Sequence, residues 1–316
     1  MLPRPLLAAL LCSLLGAAHS AYPDRPVKVI VPFAPGAAAD AVMRPLAATL
    51  AAKWGQQVLV ENRAGLTQGP QAAAAAPADG YTLLFGAGST MVTTPLTTPK
   101  LPYNVQRDFV PVVRLATLPT VLVANPALGA KKLQDLIVLV RAKPDTVNYA
   151  SSGRGAPNHL AMEYLMALTG GDMVNVPYKG AAPAVVDLIG NQIQVGFMAV
   201  PSVLTHLRTG RLVALAVGSA QRSPLLPDVP TVGETVPGFE YIAWYGLFAP
   251  TGTPAAVVEK VRADVVEALG TPQLQRALVA EGGEPAPADG AELARMIEKE
   301  TQLWRSIIVQ RKLQLD

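Results

Sequence analysis

Along most of its length the chain alternates short β-rich apolar runs with stretches of helical period. Residues 27–32 (VKVIVP) have the length and composition of a buried strand, and a loop over 33–39 follows. A helix is expected from Asp40, acting as N-cap, to about Lys53, with Gly55 behind it as a stop. Pro45 falls in its second turn, where the missing N–H bends the start. A strand at 58–61, an Ala-rich helix at 71–76, a turn at 78–80 and a strand at 81–85 complete a first unit. The pattern then resets with a long apolar stretch, 112–124. Helices at 133–143, 159–169, 184–189 and 202–208 alternate with strands at 147–151, 173–177, 195–200 and 212–217. A Pro-rich crossing at 223–230 leads to a strand at 244–249. Two amphipathic helices close the chain. Val257, Val261, Val265 and Leu269 line the first, between Thr253-Pro254 and Gly270. The second starts at Asp289 with Glu292 three residues on, and carries Leu293, Ile297, Trp304 and Ile308.

Two α/β units followed by a return to the first predict a bilobed α/β protein built on parallel sheets, with a cleft between the lobes. The expected lobes are residues 22–118 plus 225–316, and 119–224, with hinge crossings near 115–118 and 219–230. The hydrophobic content of 50% over 316 residues, with 16% charged, suits a large core and excludes disorder for the bulk of the chain. A mean hydropathy of +0.30 hints at a membrane, but no charge-free apolar run reaches the roughly 18–20 residues of a spanning helix. Residues 1–21 read instead as a secretory signal peptide. Arg4 precedes a stretch of roughly 13 apolar residues, and Ala18 and Ser20 offer small residues for cleavage near Ala21. The mature protein is therefore expected in the periplasm. Removal takes Cys12, the lone cysteine, and His19, one of three histidines, which leaves no disulfide or thiol chemistry and few metal sites. No metal and no cofactor are expected. The formal charge of +3 and its scattered basic residues argue against a nucleic-acid partner.

Catalytic motifs are missing: the sequence holds no G-x-S-x-G, G-x-x-x-x-G-K-[ST] or G-x-G-x-x-G. Ser152 and His159 could be imagined as nucleophile and base, but no orienting acid accompanies them. Anion binding has more support. Three strand–loop–helix junctions, 35–40, 86–90 and 151–158, are rich in glycine and hydroxyls, so free N–H groups and a helix dipole point at whatever sits above them. The bland reading of each junction is a tight turn. Asp40 on that reading is an N-cap, His206 a helix-face residue, and Trp244 and Tyr245 core aromatics of which one could wall the cleft. Arg154, a long cation in a Gly-flanked loop, has no obvious structural duty and is a candidate ligand contact.

The motifs in their order resemble, end to end, the extracytoplasmic receptors of tripartite tricarboxylate transporters, the Bug family. The matching stretches are Tyr22-Pro23-Asp24-Arg25-Pro26, Val31-Pro32-Phe33-Ala34-Pro35-Gly36 with Asp40, Val60-Glu61-Asn62-Arg63 and Ala78-Asp79-Gly80-Tyr81-Thr82-Leu83-Leu84. Asn148-Tyr149-Ala150-Ser151-Ser152-Gly153 with His159-Leu160, Val176-Pro177-Tyr178-Lys179-Gly180, Pro227-Asp228-Val229-Pro230-Thr231-Val232 and Gly246-Leu247-Phe248-Ala249-Pro250 complete the set. The resemblance implies a type II Venus-flytrap fold that holds a small carboxylate in the cleft and serves membrane permease subunits, as a monomer. First-lobe loops would hold one end of the ligand, largely through water: Phe33, Pro35, Gly36, Ala37, Ala38, Asp40, Thr67, Gln68, Ser89 and Thr90. The second-lobe loop would hold a carboxylate through Ser152, Gly153, Arg154, Ala156 and His159, with Met198 and Tyr245 on the walls.

The chain departs from the family pattern in several places. Ala37-Ala38-Ala39 stands where more glycine and a Thr are usual, Pro70 removes a donor, and Ala156 replaces a common Ser. Met198-Ala199 stands where an acid or amide is frequent, and without an acid there selection of an amino-acid ammonium group is not expected. The cleft becomes more apolar, so a monocarboxylate or aromatic carboxylate is expected over citrate or glutamate. The alternatives are a ligand-sensing partner of a membrane signalling receptor and a periplasmic hydrolase.

Overall fold

The computed structural model describes residues 22–314; the expected signal peptide lies outside them. The first unit runs β1 (Val27–Val31), α1 (Ala38–Trp54), β2 (Val58–Asn62), α2 (Gln68–Ala74) and β3 (Thr82–Ala87). A π-helical turn, Ser89–Thr93, continues into an α-turn, Thr94–Thr97, and β4 (Phe109–Leu118) follows. The second unit is β5 (Thr120–Ala124), α3 (Leu133–Ala142), β6 (Asn148–Ser151), α4 (Pro157–Thr169), β7 (Val174–Pro177), α5 (Ala181–Ile189), β8 (Val195–Ala199), α6 (Val200–Arg208) and β9 (Val213–Val217). The return comprises β10 (Ala243–Pro250), α7 (Ala255–Leu269), α8 (Pro272–Ala280), β11 (Glu284–Asp289) and α9 (Gly290–Gln310). Among the described residues no helix is long and apolar enough to cross a membrane.

These elements make two sheets, a six-stranded one ordered β11-β4-β10-β3-β1-β2 and a five-stranded one ordered β7-β6-β8-β5-β9. The fold is a bilobed α/β architecture, as expected. The sheets are mixed rather than parallel throughout: β10 runs antiparallel to β3 and β4, and β5 antiparallel to β8 and β9. Each sheet thus receives one reversed strand from a crossing, and β11, antiparallel to β4, is a second reversed strand at the edge of the larger sheet. Alternation along the strands divides each sheet's two faces. In β3, Leu83 and Phe85 pack with Met43, Leu46, Val261 and Val265 of α1 and α7, whereas Leu84 joins the opposite core with Trp244 and Trp304.

Local differences from the sequence reading have identifiable causes. The apolar stretch 112–124 is two strands, one per sheet, because Pro119 interrupts the ladder between β4 and β5. α1 begins at Ala38 with Ala37 as N-cap, so Asp40 lies in the first turn instead of before it. α2 occupies 68–74 rather than 71–76, with Pro70 near its start, where a lost N–H does little harm. α8 and β11 are additional elements. β11 carries Pro285 and Pro287 and is tolerated as an edge strand beside β4.

The two crossings are stitched side by side. Gly218 N donates to Thr120 O at 2.9 Å, and Tyr241 N donates to Gly218 O at 2.8 Å. A Cβ on Gly218 would lie 2.5 Å from Tyr241 O and 2.8 Å from Thr120 Oγ1, so only glycine lets the strands approach this closely. Between these points the returning chain stays with the smaller sheet, through Val217 N to Pro230 O at 2.8 Å. α9 then spans both lobes. Leu293 and Ile297 are buried, Trp304 sits edge-on to Tyr164 and Tyr241, and beyond the helix Arg311 pairs with Glu163 at 2.9 Å and Asp172 at 2.6 Å. Gly218→Ala is expected to lower the unfolding free energy by about 1–3 kcal/mol in urea titrations; unchanged stability would contradict the stitched crossing.

Candidate functional site

A cavity of about 300 Å³ lies between the sheets, at the small end of the range for ligand pockets. It collects the carboxyl ends of several strands, where open α/β sheets place ligands. From the first lobe come Phe33 after β1, Gly88 and Ser89 after β3, and Trp244 and Tyr245 of β10. From the second come Ser151 at the end of β6 and Ser152 after it, Asn158 of α4, Gly180 and Ala181 at the start of α5, and Met198 and Ala199 of β8. Thr120, Tyr241 and Ile242 form the hinge side, and Glu300 enters from α9. The lobes also meet at the packed glycines: a Cβ on Gly155 would come within 2.7 Å of Thr97 Cγ2, and one on Gly282 within 2.3 Å of Pro201 Cδ.

The helices that open on this cavity start without a side-chain cap. Ala156 precedes α4, Gly180 precedes α5, Ala199 precedes α6 and Gly88 precedes the 89–97 segment, and none accepts a bond through its side chain. Away from the cavity, Thr231, Thr271 and Asp289 cap their helices by accepting first-turn N–H groups. Uncapped first turns leave orphan N–H donors, and each helix terminus stabilises an anion by about 0.3–1 kcal/mol. Among the described lining residues there is no Lys, Arg or His, and Glu300 is the sole carboxylate. The positive potential thus comes from backbone dipoles alone.

Of the residues expected from sequence, Phe33, Ser89, Ser152, Met198 and Tyr245 line the cavity. The others fall outside its lining. Asp40 is buried in a structural network: its Oδ2 accepts from Gly36 N at 2.9 Å and Arg44 Nε at 2.7 Å, and its Oδ1 from Asn62 Nδ2 at 2.9 Å. Burial works against its charge, but these donors hold the carboxyl below its ordinary range. Pro35, Gly36, Ala37 and Ala38 form the loop this network braces, and Thr67 and Gln68 begin α2. Thr90 is buried, with its hydroxyl bound to Ala87 N and Ala87 O. Arg154 is exposed, and Gly153 and Ala156 shape the loop without lining the cavity. His159 is buried, and its Nδ1 accepts Gly155 N at 3.1 Å while Nε2 faces Glu163 Oε1 at 3.7 Å. The Nδ1 bond braces the 151–158 loop within the second lobe.

Sequence reasoning missed three contributors. Gly180 and Ala181 form a fourth strand–loop–helix junction of the kind already singled out, made inconspicuous by a single glycine. Asn158 holds the loop by accepting Ser152 N at 3.1 Å. Glu300 carried a legible signal. It occupies the apolar stripe of α9, between Ile297 and Trp304, where a carboxylate has no bland explanation.

Two α/β lobes, a double crossing and a cleft ringed by helix N-termini define a solute-binding receptor. The family model described as "Tripartite tricarboxylate transporter family receptor" matches residues 42–313, and the chain belongs to that family of periplasmic binding proteins. It is 38% identical to Protein BugT of Bordetella pertussis over 291 residues, covering 91% of this chain and 89% of that protein. Two solved structures are similar throughout. "R. palustris Rpa4515 with adipate" has a TM-score of 0.77 at 32% identity, over 91% of this chain and 97% of that one. "MatC (Rpa3494) from Rhodopseudomonas palustris with bound malate" has a TM-score of 0.74 at 32% identity, over 91% and 100%.

The buried His159 gives the second lobe a pH signature. Burial holds its pKa below the ordinary value, reinforced by Arg154 and opposed by Glu163. The unfolded chain therefore binds the proton first, so this contribution is intact above about pH 6.5 and is lost as pH falls toward the lower folded value. His159→Asn, whose Oδ1 can take the place of Nδ1, should flatten the decline of unfolding free energy below pH 6.5 relative to the parent. Equal slopes in the two proteins would contradict a neutral, bracing imidazole.

Proposed function

We propose that this receptor captures a small organic carboxylate in the interlobe cavity and presents it to the membrane subunits of a tripartite permease. The observation that carries this reading is the convergence of the α4, α5 and α6 N-termini on one cavity wall that lacks basic side chains. Such a wall solvates a carboxylate through oriented N–H groups. The adipate and malate bound by two similar structures support the same ligand class. The lobes, 22–118 with 225–316 and 119–224, close about the paired crossings, and the ligand stabilises the closed form by touching both. In this reading the protein acts as a monomer in the periplasm and carries out no chemistry on its ligand.

Native mass spectrometry of gently purified protein should reveal a bound species with the mass of a small carboxylic acid. Asn158→Asp keeps an acceptor for Ser152 N but sets a negative charge at the α4 N-terminus. It should weaken carboxylate binding at least tenfold by titration calorimetry, about 1.4 kcal/mol. Unchanged affinity would place the carboxylate elsewhere. In cells, deletion of the gene should abolish uptake of the identified ligand; intact uptake with a lost transcriptional response would favour a sensory role.

A further inference from the structure

Among the described residues, two buried side-chain polar atoms lack a hydrogen-bond partner: Asn175 Oδ1 in the edge strand β7, and Thr120 Oγ1 at the hinge. Thr120 opens β5, in which every position is buried, and it is the strand's one polar residue. The residue is 7% exposed, and its hydroxyl oxygen is sealed from solvent. A valine has the same branched shape and suits a strand equally well, so packing alone does not call for a hydroxyl at this position. A hydroxyl that has left water without gaining a partner destabilises the conformation that contains it.

The space around this hydroxyl belongs to both crossings. Thr120 O accepts Gly218 N, so the main chain is engaged while the side chain is not. The point that a Cβ on Gly218 would occupy lies 2.8 Å from Thr120 Oγ1 and 2.5 Å from Tyr241 O, so a donor and an acceptor flank one small gap without bonding each other. Thr120 and Tyr241 also border the cavity on its hinge side. The lobes are together in this conformation, in contact where Gly155 meets Thr97 and where Gly282 meets Pro201. Rotation about the crossings is the motion that changes the gap and admits water to the hinge side of the cleft.

We propose that Thr120 sets the ligand affinity of this receptor from the hinge, through a hydroxyl that the ligand does not reach. The hydroxyl is unpaired while the lobes are together and gains a partner, Tyr241 O or water in the opened cleft, when they part. This rests on the receptor reading above, whose closing lobes it takes as given, and adds what holds the empty lobes apart. The imbalance favours the open form until the contacts of a ligand with both lobes outweigh it. An empty receptor therefore keeps its cleft accessible, and a permease that recognises the closed form meets loaded receptors in preference to empty ones. Affinity is lowered by the same factor by which empty closure is suppressed.

Two variants test this. Thr120→Val keeps the shape and removes the unpaired hydroxyl, and Thr120→Ser keeps the hydroxyl. By small-angle X-ray scattering, the ligand-free parent should have a larger radius of gyration than the lobes-together conformation. Ligand-free Thr120→Val should be more compact than the parent, and Thr120→Ser should match the parent. Adipate, malate and benzoate then serve as probes in titration calorimetry and in stopped-flow fluorescence of Trp244, which lines the cavity. The tightest-binding probe should bind Thr120→Val about tenfold more tightly than the parent, and Thr120→Ser within about twofold of it. Most of the gain should appear as slower dissociation. Loss of an ordinary hinge contact would instead weaken binding, so the sign of the change separates the two roles. Thermal melts confirm folding of each variant. The proposal is overturned if the ligand-free parent is already as compact as the lobes-together conformation, if Thr120→Val is no more compact than the parent, or if Thr120→Val binds the probe no more tightly. If no probe binds while Thr120→Val still compacts the empty protein, the hinge role of Thr120 is supported and the failure lies with the carboxylate reading.

Discussion

Everything about the site depends on one close approach, the backbone stitch of Thr120, Gly218 and Tyr241. Two chain crossings must run side by side for the carboxyl edges of two separate sheets to face each other, and a side chain at 218 would push them apart. The stitch also explains the reversed strands. β5 and β10 each continue from a crossing into the body of the sheet, antiparallel to their neighbours, so both sheets are anchored to the hinge through strands that are hydrogen-bonded on both sides. Motion about the crossings then moves whole lobes while leaving the β-ladders intact.

Given that arrangement, recognition follows from what the chain leaves out. α8 and α9 spend a Thr and an Asp side chain on their first turns, whereas those opening on the cavity begin after Ala or Gly. The orphan donors are satisfied by a ligand or by water, and they carry no mobile charge that a competing anion could seize without fitting the cavity. α9 adds the opposing element. The same helix that ties the lobes together through Trp304 and Arg311 delivers Glu300 to the cavity, so the site and the interlobe support share one rigid body.

The alternation of apolar runs with helical periods revealed both α/β units and the return to the first, because each strand is buried on at least one face and each helix is amphipathic. What the alternation could not show was where one apolar run becomes two strands. Pro119 divides β4 from β5, and only the pairing partners reveal that they lie in different sheets. β11 escaped notice because its two prolines mimic a loop. The site was half legible. Ser89 and Ser152 stand at Gly-rich junctions and were visible as such, whereas Asp40, Arg154 and His159 drew attention through residue type alone. Asp40 and His159 brace loops, and Arg154 projects into solvent. Glu300 lies far along the chain from the loop glycines, and its place on the cavity emerges only once Trp244 and Gly88 are seen beside it.

The central claim is that a carboxylate is held in this cavity by backbone donors rather than by basic side chains. A crystal structure of the protein with its bound ligand tests this most directly. The ligand carboxylate should lie within hydrogen-bond distance of N–H groups in the first turns of α4 or α5, near Asn158 or Ala181, with no Lys or Arg within reach. A carboxylate bound outside the cavity, or one paired with a basic side chain, would contradict the account.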